Sequence, residues 1–271
     1  APAALLEKLF EYEAVHEITG WDDLKSRLAS DRRCFAFFHH SMPDEPLIFV
    51  WVALVKGMAN NIHDLLDQRV PDQDVNQPDT AIFYSISNAQ DGLSGINFGN
   101  FLIKRVIDNL SNELGGLKII ATLSPVPGFM PWLHNNLDNH HLNFLTVEQE
   151  DKLIEIASKS SAKSSLLFFL KDLAWVNSPE LETLLKPILL RLVAHYLTRQ
   201  KRAGGTALDS VAHFHLNNGA RIERLNWAAD TSPRGIRQSA GIMLNYRYVL
   251  EDIEANHESY RLSLIHISAP T

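Results

Sequence analysis

The sequence predicts an α+β or α/β fold built on a mixed sheet, and three observations carry that expectation. Short apolar runs rich in β-branched and aromatic residues, bounded by turn residues, fall in the first half of the chain and again near residue 220. Such runs read as buried strands. Longer stretches lie between and after them with apolar residues three and four apart, the spacing of one helix face; the middle third reads as a helical insertion. The composition is that of a packed globular chain, with 271 residues of which 45% are hydrophobic and 21% charged. That length buries a sizeable core without staples.

Taken in order, residues 1–10 and 21–28 read as two short helices. Cys34-Phe35-Ala36-Phe37-Phe38 and residues 46–55, joined across Ser41-Met42-Pro43-Asp44, read as an antiparallel hairpin. Residues 71–78 are polar and turn-rich, so a loop is expected there. Ala81-Ile82-Phe83-Tyr84-Ser85-Ile86-Ser87 is a third strand. A glycine-containing segment then leads into a helix over about 98–114, with the stripe Ile103, Val106, Ile107, Leu110 and Leu114, and Gly115-Gly116 ends it. Residues 117–123 form a strand and 147–157 a helix. Ser178-Pro179-Glu180 supplies the cap and first turn of a long helix striped by Leu181, Leu185, Ile188, Leu192 and Tyr196. Gly204-Gly205 marks a break. Residues 209–219 follow, then a strand over 220–227, and Ser232-Pro233 opens what reads as the final helix.

Bulk properties exclude some functions. A net charge of -7 argues against sequence-independent nucleic-acid binding, which needs a basic face. No apolar run approaches the ~18 residues of a membrane span. Cys34 is the only cysteine, so no internal disulfide is available. This fits a reducing compartment: the cytoplasm or, in a eukaryotic cell, the mitochondrial matrix or peroxisome. The chain opens on Ala1-Pro2 rather than Met, as a fragment would.

Several places can carry chemistry. Ser94, Gly95, Ile96, Asn97, Phe98, Gly99 and Asn100 lie after a strand and at a helix start. Glycine lets a ligand approach the backbone there, and free helix-terminal amides favour phosphate. A plain strand-to-helix turn fits the same residues, since neither a P-loop nor a GxGxxG pattern is present. Ser124 ends a buried run and is followed by Pro125-Val126-Pro127-Gly128, which fixes its hydroxyl at a strand end, where sheets of this class place ligands. A Ser-Pro turn is the alternative, and no GxSxG elbow is present. His215 can move a proton near neutral pH. It can also pair with His213 on a metal, if that stretch is a strand, or serve structure alone; no third ligand stands at suitable spacing. His39-His40 and His140-His141 have the same weakness. Tyr248, in Asn245-Tyr246-Arg247-Tyr248, either orients a ligand through its hydroxyl or belongs to the core.

A resemblance carries the reading further. The strings Tyr84-Ser85-Ile86-Ser87, Gly99-Asn100-Phe101-Leu102-Ile103-Lys104-Arg105-Val106, Leu123-Ser124-Pro125-Val126-Pro127-Gly128-Phe129, Phe214-His215-Leu216-Asn217-Asn218-Gly219-Ala220 and Asn245-Tyr246-Arg247-Tyr248 are similar to those of malonyl-CoA decarboxylases. Their order and spacing match, from about Glu13-Ala14-Val15-His16 to about Tyr260. The resemblance implies an α+β fold of the GNAT acyltransferase type, with a mostly antiparallel mixed sheet flanked by helices. It implies Ser124 and His215 as catalytic residues and Ser85 and Tyr248 as site-lining ones. Residues 94–100 would hold the CoA pyrophosphate. Mammalian members carry a Glu where this sequence has Asn97, so an acid–base role is not carried over to that position. Residues 1–20 are expected to be the remnant of a helical region through which full-length members form homo-oligomers, 21–260 the catalytic domain, and 261–271 a tail foreign to the family. The implied reaction, in malonyl-CoA and fatty-acid metabolism, converts malonyl-CoA to acetyl-CoA and CO2 without metal, biotin or other cofactor. His215, whose pKa can sit near neutrality, is a suitable proton donor, and which of Ser124 and His215 transfers the proton is not fixed by the sequence. Acyl transfer on the same fold, or CoA binding without activity, are the alternatives.

Overall fold

The computed structural model of the chain describes residues 2–67, 77–90, 99–138, 145–159, 166–171, 175 and 178–262. In chain order its elements are α1 (Ala3–Tyr12), α2 (Trp21–Ser26), β1 (Arg32–His39), β2 (Met42–Val55), α3 (Ile62–Leu66), β3 (Thr80–Asn88), α4 (Gly99–Glu113), β4 (Ile119–Thr122), β5 (Ser124–Pro125), α5 (Phe129–Asp138), α6 (Val147–Lys159), α7 (Leu166–Lys171), α8 (Pro179–Arg199), α9 (Ser210–Asn217), β6 (Arg221–Asn226), α10 (Pro233–Ser239), β7 (Met243–Tyr248) and α11 (Ile253–Arg261). They fall into two compact units. The first comprises residues 1–124, 214–224 and 245–271, the second residues 125–213 and 225–244.

The first unit is built on the sheet. Its strands run in the order β1-β2-β3-β4-β7, β5 lies beside β7, and β6 also pairs with β7. All registered pairs are antiparallel except β3 with β4. The sheet is buried on both faces in the middle: Phe49 to Leu54 of β2 and Ala81 to Tyr84 of β3 are all removed from solvent. That explains why these strands read as unbroken apolar runs rather than alternating ones. Helix α4 covers part of the core with Ile103, Val106, Ile107 and Leu110, four members of the predicted stripe. The hairpin is tighter than expected. Only His40 and Ser41 form the turn, and Met42 to Asp44 belong to β2. Register shifts at Phe37/Phe38 and Phe38/His39 absorb Pro43 and Pro46, which cannot donate to a regular ladder.

The second unit is helical. Ser178 caps α8, its hydroxyl accepting from the Leu181 amide. The buried stripe of α8 is Leu185, Ile188, Leu189, Leu192, Val193 and Tyr196. The Tyr196 ring meets Phe129 and Trp132 of α5, with centroids 6.0 and 5.2 Å away. Helix α10 starts at the expected Ser232 cap but is not the last helix, because β7 and α11 follow it. Helix α11 has no side-chain cap and is entered through a 3-10 turn; it buries only Ile253 and Tyr260, so neither start signal nor stripe announced it. The expected loop at 71–78 lies almost entirely outside the described residues, as do His140-His141 and residues 263–271 of the tail. No helix among the described residues is long and apolar enough to cross a membrane.

Candidate functional site

Three expected residues meet in the first unit. Ser124 Oγ lies 3.2 Å from His215 Nε2, and His215 Nδ1 lies 2.9 Å from the Tyr248 hydroxyl. Ser124, at the end of the β4 run, His215, on the last turn of α9, and Tyr248, at the end of β7, are all buried. The His215 ring also stacks on Tyr246, centroids 4.6 Å apart, with Phe214 at its edge. No charged group is among these contacts. Burial therefore dominates and pushes the imidazole down to about 3, and it pushes the Tyr248 phenol well up. This corrects the expected near-neutral histidine: an ionised ring without a partner in an apolar setting costs too much. His215 is neutral and carries a single N–H.

The end of α9 fixes that ring. His215 carbonyl accepts from Asn218 and Ala220 amides, and Gly219 N–H bonds Leu216 carbonyl, which is the Schellman arrangement. Gly219 holds the left-handed φ of 80° that it requires. The start of α9 is capped by Asp209, whose carboxylate accepts from the amides of Val211, Ala212 and Gly128. One buried carboxylate in the second unit thus secures both the helix N-terminus and the Pro125-Val126-Pro127-Gly128 loop. Because α9 is a helix, His213 and His215 point about 200° apart around it, so the metal-pair alternative is lost. Among the described residues no group of three His, Cys, Asp or Glu is placed to hold a metal ion.

Two polar residues that local pattern did not single out support Ser124. Thr122 Oγ1 accepts from the Ser124 hydroxyl at 2.9 Å and from the Tyr246 amide at 3.2 Å. Asn245 Nδ2 donates to the carbonyls of Thr122 at 2.7 Å and Ala59 at 3.0 Å, while its Oδ1 accepts from Arg224 Nε. Every polar atom of that buried amide has a partner, as burial demands.

Ser85 is not hydrogen-bonded to this group. Its hydroxyl donates to the Glu13 carboxylate at 2.8 and 3.0 Å. Glu13 also accepts from Trp51 Nε1 and from the amides of Val15 and His16. Glu13 opens the string from which the resemblance was counted, yet its role as acceptor for Ser85 was not read from it. The β3–β4 ladder runs only from Thr80↔Ile119 to Phe83↔Thr122, whereas β3 continues to Asn88. Past Phe83 the two strands share no registered pair, and Ser85 and Ser124 each stand two residues beyond that last pair. Of the expected CoA loop, Ser94, Gly95, Ile96, Asn97 and Phe98 lie outside the described residues. Gly99 and Asn100 form the first turn of α4. A separate polar cleft of about 230 Å³, lined by Arg32, Lys56 and Asn60 among others, includes none of the predicted residues.

The model of the malonyl-CoA decarboxylase C-terminal domain matches residues 1–268. The chain is 42% identical over 275 residues to the mitochondrial malonyl-CoA decarboxylase of Anser anser anser, covering 99% of this chain and 54% of that protein. It therefore spans about half the length of that curated relative. The solved malonyl-CoA decarboxylase of Rhodopseudomonas palustris superposes with a TM-score of 0.88 at 45% identity, over 99% of this chain and 62% of that one. A GNAT-like decarboxylase solved with isobutyryl-CoA, GphF, superposes at 0.51 with 13% identity, over 92% of this chain and 97% of that one. At that distance the likeness speaks for the fold, and the fold is GNAT-like as expected. A buried serine–histidine–tyrosine row on a GNAT-like sheet, in a chain matched from end to end by one family model, places this protein in the malonyl-CoA decarboxylase family, through that family's C-terminal domain.

Proposed function

We propose that this chain decarboxylates malonyl-CoA to acetyl-CoA and CO2, with residues 21–260 as the catalytic domain. The observation that carries the reading is the Ser124–His215–Tyr248 row standing beside the end of the parallel ladder. Residues 94–100, leading into α4, hold the CoA pyrophosphate through backbone amides. Ser85 and Tyr248 line the acyl end.

Loss of CO2 from the malonyl group leaves an enolate on the thioester oxygen. The thioester is its own electron sink, so the reaction asks for neither biotin nor a metal. The protein must set hydrogen-bond donors where that charge develops, usually the largest single contribution to such catalysis, and then deliver a proton to the α-carbon. Neutrality of His215 suits the first task. A hydroxyl turned from its resting acceptor onto the substrate, backed by a neutral N–H, stabilises an enolate by hydrogen bonding. They leave the malonyl carboxylate ionised, and the ionised form is the one that loses CO2. Ser124 orients the acyl group and passes its proton to the α-carbon. His215 Nε2 refills Ser124, Nδ1 takes the Tyr248 proton, and solvent returns a proton to Tyr248, so the imidazole never carries charge. The relatives are named mitochondrial, which favours the mitochondrion among the compartments expected from the sequence, and the longer protein is proposed to form homo-oligomers.

The test is conversion of malonyl-CoA to acetyl-CoA, followed with and without a chelator and without any acyl acceptor. His215→Asn is expected to lower CO2 release by on the order of 10²–10⁴-fold, with CoA binding measured by calorimetry largely spared. Turnover by His215→Asn at near the wild-type rate would sink the assignment, and acetyl-CoA formation that stops on chelation would contradict the metal-free reading.

A further inference from the structure

We propose that Thr122 is a positioning residue that sets the direction of the whole hydrogen-bonded row, so that it runs Tyr248 to His215 to Ser124 to Thr122. The inference deepens the proposed function and rests on it for its kinetic consequence only. Thr122 is the last residue of β4 and is fully buried. The strands pair Ile120 with Tyr248 and Ala121 with Arg247, so Thr122 stands opposite Tyr246. At this pair the ordinary ladder is replaced. The Tyr246 amide donates to the Thr122 side-chain oxygen, and the Thr122 carbonyl is taken by Asn245 Nδ2. An amide can only donate, so one lone pair of the Thr122 hydroxyl oxygen is taken and that oxygen is turned inward. Ser124 gives its one proton to the same oxygen.

The rest follows by counting protons. With its hydrogen committed to Thr122, Ser124 Oγ can only accept from His215, which requires the proton on Nε2. A neutral imidazole has one N–H, so Nδ1 is bare and accepts from the Tyr248 hydroxyl. This is the reverse of the polarity in which a histidine draws the proton from a nucleophilic serine. Ser124 is therefore held as an orienting hydroxyl with a proton donor behind it, rather than as an activated nucleophile. Without the Thr122 oxygen the serine proton has one remaining acceptor in the row, His215, and the polarity inverts.

Long-range 15N–1H correlation spectra of the labelled full chain distinguish a protonated from a bare ring nitrogen. His215→Asn identifies the His215 signals. The wild-type protein is expected to show His215 protonated at Nε2 and bare at Nδ1; protonation at Nδ1 overturns the proposal, whatever the activity. In Thr122→Val the Nδ1-protonated form is expected to appear and kcat for malonyl-CoA to fall on the order of tenfold, with KM changed less than about twofold. Thr122→Ser keeps the hydroxyl and is expected to retain both the wild-type tautomer and most of kcat. A Thr122→Val protein with the wild-type tautomer and kcat overturns the proposal, as does a Thr122→Ser protein that behaves like the valine variant. Should Thr122→Val fail to fold, the wild-type and serine spectra decide. Absence of decarboxylation in the wild-type protein, with the Nε2 tautomer in place, would refute the proposed reaction and leave the polarity standing.

Discussion

His215 shows at the scale of one residue how burial sets chemistry. Its ring touches Ser124, Tyr246, Tyr248 and Phe214, none of which offers a counter-charge, so the folded state holds it neutral down to about 3 against an ordinary value of 6.5. This has a consequence for stability with a definite sign. Below about pH 6.5 the unfolded chain binds a proton at this position and the folded chain does not, so acid favours unfolding. The contribution is complete above about 6.5, is lost as the pH falls, and stops changing once the folded ring itself protonates near 3. The slope amounts to about 1.4 kcal/mol per pH unit in that window. Other groups contribute slopes of their own, but a His215→Asn protein shares them and lacks this one. Urea unfolding of both proteins at pH 6.5, 5.5 and 4.5 is therefore expected to show the wild-type advantage shrinking by about that amount per unit. Parallel stability curves for the two proteins would show that His215 is not held neutral.

Elements place these residues, and the end of α9 is the most exacting of them. Gly219 supplies the left-handed turn one residue beyond the helix cap, and a Cβ built on it would lie 2.2 Å from the Ile253 carbonyl oxygen. That neighbour is backbone and cannot swing aside. Gly219→Ala is expected to cost about 3 kcal/mol through strained φ and overpacking together. It should also lower kcat, because the His215 carbonyl is part of the same turn. Gly204→Ala, where nothing lies within 4 Å of the added carbon, is the control and should leave the melting temperature unchanged; equal losses in the two variants would contradict this reading. The same turn illustrates what the sequence disclosed. Strands buried on both faces, such as β2 and β3, showed as unbroken apolar runs. Helices with a cap and a stripe, such as α4 and α8, showed by period. Strand β7 was not read as a strand because Asn245 and Arg247 interrupt its apolar residues. Asn245 is polar because it serves carbonyls at Ala59 and Thr122, more than a hundred residues away in sequence. Ser124 stood out through its prolines. Thr122, two residues earlier in an ordinary strand, looked like any β-branched residue, and Glu13 gave no sign that it would accept from Ser85 and Trp51. Contacts between residues far apart in sequence leave little local trace.

Charge is the property of the whole molecule that bears most directly on the proposed substrate. The chain carries a net -7, and malonyl-CoA is itself an anion through its phosphates and its free carboxylate. Beyond a few ångströms the two repel, and focusing by the protein's field then works against encounter rather than for it. Binding must come from short-range contacts such as helix-terminal amides, which act within a turn. Among the described residues, the first cations along α4 are Lys104, paired with Glu254 at 3.3 Å, and Arg105, which follows it. Salt screens the long-range repulsion first, since the Debye length falls to about 10 Å at 0.1 M, while close amide contacts are screened much less. Raising ionic strength from about 0.05 M to about 0.3 M is therefore expected to lower KM for malonyl-CoA modestly and to leave kcat unchanged. An enzyme that captured CoA through a basic patch would behave in the opposite way, losing affinity steeply as salt rises. A KM that climbs several-fold over that range would mean that local cations, not backbone amides, hold the phosphates, and the pyrophosphate contact proposed for residues 94–100 would have to be reassigned to side chains.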